Sequence, residues 1–179
     1  MILLSIILFI CIFLLNTTTK LLLCSLAFVS SALVANIITK LYGRTNAFNI
    51  LVVCIAINIA IVWKSLNFML LSSFVSLFIS LYISINLIEE LKLVFRFEGK
   101  NLIGLAFCSL VDSSIIAASL LSKVGFNRAL IIGLKDLAFK LSYTVLITVC
   151  LLIVLNYLLC QIHRNYSRAS KLIDFIVRH

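Results

Sequence analysis

The sequence predicts an all-α fold, a polytopic membrane helix bundle of six transmembrane helices with both termini in the cytoplasm. Hydrophobic residues make up 64% of the 179 positions and charged residues only 12%, whereas a soluble domain is roughly half apolar and a quarter charged. The mean hydropathy is +1.26, and a chain of this length cannot hide so many apolar side chains in a water-soluble core. The apolar residues also recur in long runs separated by short polar breaks. The solvent of this chain is therefore lipid.

Each predicted helix is an apolar run that can cross about 30 Å of hydrocarbon, which takes roughly 20 residues. The first run, at 2–15, resembles the core of a secretory signal, but no basic residue precedes it and no A-x-A-like site follows it. We therefore expect a short spanning helix there. A six-helix transmembrane domain is expected over 1–160, and a basic tail at 161–179 is expected to lie along the membrane surface. The predicted spans are about 2–18, 21–41, 46–63, 66–88, 101–123 and 129–160.

The basic residues between the spans predict the orientation. One face carries nine and the opposite face four, and the richer face is expected in the cytoplasm. The formal charge of +9 thus indicates topology and contact with lipid, and no nucleic-acid partner is expected. The nine are Lys40, Arg44, Lys92, Arg96, Lys100, Arg164, Arg168, Lys171 and Arg178, and the four are Lys20, Lys64, Lys123 and Arg128.

Asp112 lies at the centre of the fifth span, within FCSLVDSSIIAASLL. An ionised aspartate at that depth costs roughly 2.5–3.5 kcal/mol on insertion scales, so it should face the bundle interior and have a partner. Ser109, Ser113 and Ala117 follow at four-residue spacing, and small residues at this spacing let helices approach closely. Two interpretations stay open: a bond between helices, or a ligand or proton site.

Lys140 is the partner that the geometry suggests. The fifth and sixth spans form a hairpin with its turn near Phe126, and Asp112 and Lys140 lie equally far from that turn. With the same rise per residue in both helices the two reach similar depth, which allows an ion pair or a shared ligand. Lys135 and Asp136 are expected nearer the outer surface, where solvated charges are the usual case.

Other polar residues inside the spans have two interpretations each. Asn36 either forms a hydrogen bond between helices or takes part in the function of the protein. Ser73, Ser76, Ser80 and Ser84 fall on one stripe of the fourth span, and they either line a polar cavity or bond back to their own helix. The six cysteines are scattered singly and predict no metal site or disulfide. No nucleophile–base pair or phosphate loop occurs, so neither an enzyme nor a cofactor is expected.

The chain carries three notable motifs: ANIITKLYGRTNA, the serine-rich fourth span and KNLIGLAFCSLVDSSI. Together, over roughly residues 25 to 155, they resemble those of the queuosine precursor transporters of the vitamin-uptake-transporter family. Tyr42, Gly43 and Arg44 match the end of the family's second helix, where Asn36 replaces an aspartate. Asp112 matches the aspartate of the fifth helix and Lys140 the lysine of the sixth. Ser113 replaces a threonine and Ser109 a glutamine, while Ser73 and Ser80 match the family's serines.

The resemblance implies import of a deazaguanine precursor of queuosine, such as 7-cyano-7-deazaguanine, across a bacterial inner membrane. The chain would be a multi-pass transporter that binds a small heterocyclic substrate. The substrate-binding residues that it implies are Asp112, Asn36, Ser109, Ser113, Ser80, Ser73 and Lys140.

Two other functions are compatible with the same residues. The chain could be a capture component that binds a vitamin-like ligand and needs an energising partner, or a structural subunit whose Asp112 and Lys140 form a latch between helices. The coupling ion and the oligomeric state do not follow from the sequence.

Overall fold

The computed structural model consists of helices joined by short connections, and it describes the backbone of residues 1–91 and 97–177. Side chains are described for 1–91, 99–121, 123–154 and 157, and no strand occurs in these parts. The predicted all-α bundle is confirmed. The helices are α1 (Ile2–Thr17), α2 (Leu21–Tyr42), α3 (Arg44–Val62), α4 (Phe68–Glu90), α5 (Phe97–Val124) and α6 (Phe126–Val177), with a 3-10 turn at Trp63–Ser65.

Five helical segments in the described chain are long and apolar enough to cross a membrane, and the protein is a multi-pass membrane protein. They are Leu21–Tyr42, Arg44–Ser65, Phe68–Glu90, Gly99–Leu121 and Phe126–Val154. The first helix, α1, has 16 residues and is therefore about 24 Å long, short of the ~30 Å hydrocarbon layer. Large apolar side chains remain exposed along the helices and provide the lipid-facing surface. Examples are Leu3, Leu22, Val53, Phe68, Phe107 and Leu134.

The chain divides into two compact units, Met1–Val145 and Leu146–His179, with the division inside α6. The second unit is helical to Val177. The tail predicted at 161–179 belongs to this helix up to that residue, and its side chains lie outside the described residues. The helices α1 to α5 and the first part of α6 form the first unit, and all the polar groups discussed below belong to it.

Local sequence explains where the helices end. In lipid every backbone polar group must be satisfied internally, so the chain is helical wherever it can be. Gly43, at φ +85°, separates α2 from α3, and Gly125, at φ +79°, separates α5 from α6. Only glycine adopts such a backbone conformation without strain. Asn67 caps α4, because its side-chain oxygen accepts a hydrogen bond from the Leu70 backbone N–H at 2.9 Å.

Contacts between helix ends define two faces of the first unit. At the inner face, which holds Gly43, the Met1 amino group donates a hydrogen bond to the Tyr42 hydroxyl at 2.7 Å. At the outer face, which holds Gly125, Ser73 of α4 donates to the Asn16 side chain of α1 at 3.1 Å. The helices thus alternate in direction. Assignment of the inner face to the cytoplasm stays a prediction, and the side chains of Lys92, Arg96 and the four basic tail residues lie outside the described residues.

Candidate functional site

Three charged side chains meet inside the first unit, and we call Asp112, Asp136 and Lys140 the triad. The Lys140 ammonium donates to an Asp112 carboxylate oxygen at 2.5 Å and also to Asp136. The three residues are only 2%, 3% and 2% exposed, respectively. Charges this deeply buried are expensive and persist only when paired and hydrogen-bonded. The pairing of Asp112 with Lys140, which the equal depths in the hairpin suggest, is confirmed.

Asp136 is predicted from its position in the sequence to lie near the outer surface among solvated charges, and this prediction is wrong. It is buried and belongs to the triad instead. The physical reason is its spacing. Asp136 lies four residues before Lys140 in α6, so both side chains project from the same face of the helix. Its distance from the helix end gives its depth but not the direction in which it points.

Serine hydroxyls complete the hydrogen bonding of the two carboxylates. Ser76 of α4 donates to Asp112 at 2.5 Å. Ser25 of α2 donates to Asp136 at 3.0 Å, and Ser113 of α5 donates to it at 2.7 Å. Four helices therefore converge on the triad. Ser76 stands on the predicted serine stripe, whereas nothing in the spacing of α2 distinguishes Ser25 from its neighbours.

A close approach between α5 and α6 brings the triad together. A Cβ atom added to Gly133 would lie 2.7 Å from the Cβ of Ala117, which is closer than two carbon atoms can pack. The small-residue stripe of α5 predicts such an approach, and Ala117 makes it. Ser113, from the same stripe, also accepts a hydrogen bond from Lys140 at 3.3 Å.

A cavity of about 200 Å³ adjoins the triad and extends from it toward the outer ends of the helices. Its wall is mostly apolar, with the triad and a few hydroxyls as its polar groups, which is the usual composition of a small-molecule site. Ser72 and Ser119 hydrogen-bond to each other in this wall. The lining residues are Leu15, Leu21, Cys24, Phe28, Met69, Ser72, Ser73, Asp112, Ile116, Ser119, Ile132, Asp136 and Lys140.

Phe28 lines the cavity and stands against the triad. The Lys140 nitrogen lies 4.7 Å from the centre of the Phe28 ring, within the range of a cation–π interaction. Aromatic residues on facing helices, such as Phe28 or Phe74, are the ones expected to stack on a heterocyclic substrate, and Phe28 is the one of these two that lines the cavity. Phe74, equally buried on α4, is not among the residues that line the cavity.

The predicted site residues divide between this cavity and the helix interior. Asp112, Lys140 and Ser73 line the cavity, and Ser113 contacts the triad. Ser80 and Ser109 bond back to their own helices, to the carbonyls of Leu77 and Leu105. Neither of these two serines, nor Asn36, belongs to the cavity wall. Whether the seven residues bind a substrate stays a prediction.

Asn36 belongs to a second polar group nearer the inner face, which we call the amide cluster: Asn36, Ser84 and Asn101. The Asn36 amide donates to the Asn101 side-chain oxygen at 2.8 Å and accepts from Ser84 at 2.9 Å. All three residues are fully buried, and the Asn101 side-chain nitrogen has no hydrogen-bond partner among the residues whose side chains are described. Gly104 packs over them, since an added Cβ would lie 3.3 Å from the Ser84 hydroxyl.

The described residues contain no group of three or more metal-ligating side chains. Comparisons of the chain with protein-family models, curated proteins and solved structures give no match. The resemblance to queuosine precursor transporters stays a prediction, and what the described residues show is a multi-pass helix bundle with a buried charged site beside a cavity.

Proposed function

We propose that this protein is a secondary transporter that imports a small heterocyclic nutrient across a bacterial inner membrane and binds it in the cavity beside the triad. The observation that carries the proposal is the position of the triad. Three buried charges inside a membrane are costly, and they line an unfilled space on one side while four helices enclose them on the others. Charges placed only to join helices do not require such a space.

The size and lining of the cavity favour a small ring system. A cavity of about 150 Å³ accepts benzene, and drug-sized ligands usually occupy about 300–1,000 Å³. The volume of about 200 Å³ lies between these values and suits one small heterocycle. Phe28 offers a ring face to it and the triad offers charged hydrogen-bonding groups.

The substrate class follows from the resemblance, which implies a deazaguanine precursor of queuosine, and the chemistry of the triad is compatible with it. A guanine-like edge presents two neighbouring N–H donors. A carboxylate has about four lone-pair sites, and the Asp112 side chain uses two of them, for Ser76 and Lys140. The remaining sites face the substrate in this proposal, and Lys140 donates to the substrate carbonyl. Base analogues that lack the two donors would leave Asp112 unpaired, which is costly in a dry site.

The decisive experiment reconstitutes the purified protein in liposomes and measures entry of labelled 7-cyano-7-deazaguanine. We expect uptake by the natural protein and a loss of about tenfold or more in Asp112→Ala, because a hydrogen bond to a charged group contributes about 1.5–3 kcal/mol. Ser114→Ala is the matched control, since Ser114 is exposed on the same helix and donates a hydrogen bond to the Leu110 carbonyl of that helix. Full uptake by Asp112→Ala would remove Asp112 from the mechanism. Binding without entry would favour a capture component that needs an energising partner.

The ion pair itself favours a second candidate, a structural subunit in which Asp112 and Lys140 form a latch between α5 and α6. A charge swap separates the two. If the pair is only a latch, Asp112→Lys combined with Lys140→Asp restores the thermal stability lost in either single variant, and no heterocycle stabilises the natural protein. If the pair is a binding site, the swapped protein folds but takes up no substrate, and the natural protein is stabilised by its ligand.

A further inference from the structure

The charges of the triad do not balance. With both carboxylates ionised, the triad has two negative groups and one positive group, a net charge of −1. Lys140 is the cation of both ion pairs that these aspartates form in the described part of the chain. Lys135, the neighbour of Asp136, is exposed. An unbalanced charge in a low-dielectric interior is normally neutralised, usually by taking up or losing a proton.

In the part of the chain whose side chains are described, the groups around the triad do not supply the missing positive charge. From α2 the nearest titratable group is Cys24, and from α5 it is Cys108; both lie within electrostatic range of the triad. Ser76 is the group that α4 contributes, and α1 contributes Leu15 to the cavity wall. A thiol is either neutral or negative. The balancing charge must therefore come from a species that is not part of these side chains.

The serine hydroxyls indicate where that species lies. A serine hydroxyl has one hydrogen to donate, yet Ser76 contacts two acceptors, the Asp112 backbone carbonyl at 3.1 Å and the Asp112 carboxyl oxygen at 2.5 Å. Ser25 likewise contacts the Leu21 carbonyl at 2.9 Å and Asp136 at 3.0 Å. A proton on either carboxyl satisfies the serine beside it, because the hydroxyl can then donate to the backbone and accept from the acid. The shorter of the two contacts to a carboxyl belongs to Asp112.

We propose that the triad holds one exchangeable proton, which resides mainly on Asp112 before substrate binds and on Asp136 once the two N–H donors of the substrate occupy the Asp112 carboxylate, and that this proton couples substrate uptake to the proton gradient. The coupling rests on the function proposed above, whereas the bound proton does not. The proton reaches the carboxyl through the cavity from the outer side and forms an O–H bond there. When that bond breaks, the proton leaves on the inner side together with the substrate, and the triad returns to a net charge of −1.

Infrared spectroscopy of the purified protein tests the bound proton without any substrate. We expect the C=O stretch of one neutral carboxylic acid at pH 7 in the natural protein. It should vanish in Asp112→Asn and equally in Asp136→Asn, because one carboxylate then balances Lys140. In Lys140→Met it should double. Glu90→Gln, at an exposed position outside the triad, is the control and should leave the band unchanged. Absence of the band in the natural protein, or its persistence in both asparagine variants, overturns the proposal.

Liposomes that contain a pH-sensitive dye test the coupling. Addition of 7-cyano-7-deazaguanine outside should acidify the interior by one proton per molecule taken up. Replacing sodium by choline should change neither the rate of substrate entry nor the rate of acidification. Substrate entry without acidification, or entry that needs sodium, overturns the proton coupling but still supports the transport function proposed above. The infrared band without any substrate entry supports the bound proton and instead contradicts the function proposed above.

Discussion

The outer and inner halves of the first unit differ in the polar groups that they bury. The outer half buries two carboxylates and an ammonium beside a cavity. The inner half buries the neutral amide cluster, where Gly104 brings the helices into contact, and beside it Lys100, which is 8% exposed. Neutral amides are cheap to bury and bind helices together weakly, whereas charges are costly and demand a balancing partner. The comparison indicates a candidate site in the outer half, where the triad adjoins a cavity, and a close contact between helices in the inner half.

Removal of the triad's cation should produce the largest loss of stability. Lys140→Met leaves two buried carboxylates without their partner, which typically costs about 3–5 kcal/mol. Thermal unfolding in detergent at pH 7 measures it. The deficit should shrink as the pH is lowered, because the two protons that keep these carboxyl groups neutral in the folded variant are then bound by the unfolded chain as well. Lys135→Met, one residue from Asp136 but exposed, is the control. Equal stability of the two variants would mean that the triad is not a paired, desolvated cluster.

Disruption of the contact between α5 and α6 should produce the second-largest loss of stability. Gly133→Leu forces a side chain into a space where a single Cβ already meets Ala117 at 2.7 Å, and overpacking typically costs about 1–3 kcal/mol. Ala138→Leu adds bulk at an exposed position of the same helix and should be neutral. The same unfolding experiment compares them. If Gly133→Leu is as stable as the natural protein, α5 and α6 do not cross as closely as described.

The amide cluster should give the smallest effect. Asn36→Ala removes the hydrogen bonds to Asn101 and Ser84, and bonds between membrane helices average about 0.6 kcal/mol with a maximum near 1.7. We expect a loss in that range, well below that of Lys140→Met, measured by unfolding in the same detergent. Thr17→Ala, at an exposed hydroxyl that bonds to its own helix at Phe13, is the control. A loss as large as that of Lys140→Met would contradict the contrast between the two halves.

The depth of Asp112 and its pairing with Lys140 could be predicted, because the rise per residue fixes depth along a hairpin whatever the packing. The four-residue spacing between Asp136 and Lys140 indicates that both side chains lie on one face of α6. The prediction of an exposed Asp136 rests on its depth along the helix alone, and depth does not give the direction of a side chain. Asn101 is the first residue of the predicted fifth span, so the sequence places it at the end of a helix. In the structure α5 begins four residues earlier, at Phe97, and Asn101 lies inside the helix and is buried. The cavity could not be predicted, since it depends on how the ends of α1 and α4 stand against α5.

The single-glycine joints at Gly43 and Gly125 have a consequence for movement. A connection of one residue holds the two adjoining helix ends together. It therefore prevents α2 from sliding along α3, and α5 from sliding along the first part of α6. In the function proposed above, a route past the amide cluster would require α2 to move away from α5. Because Asn36 belongs to α2 and Asn101 to α5, the hydrogen bond between their side chains would have to break in that movement.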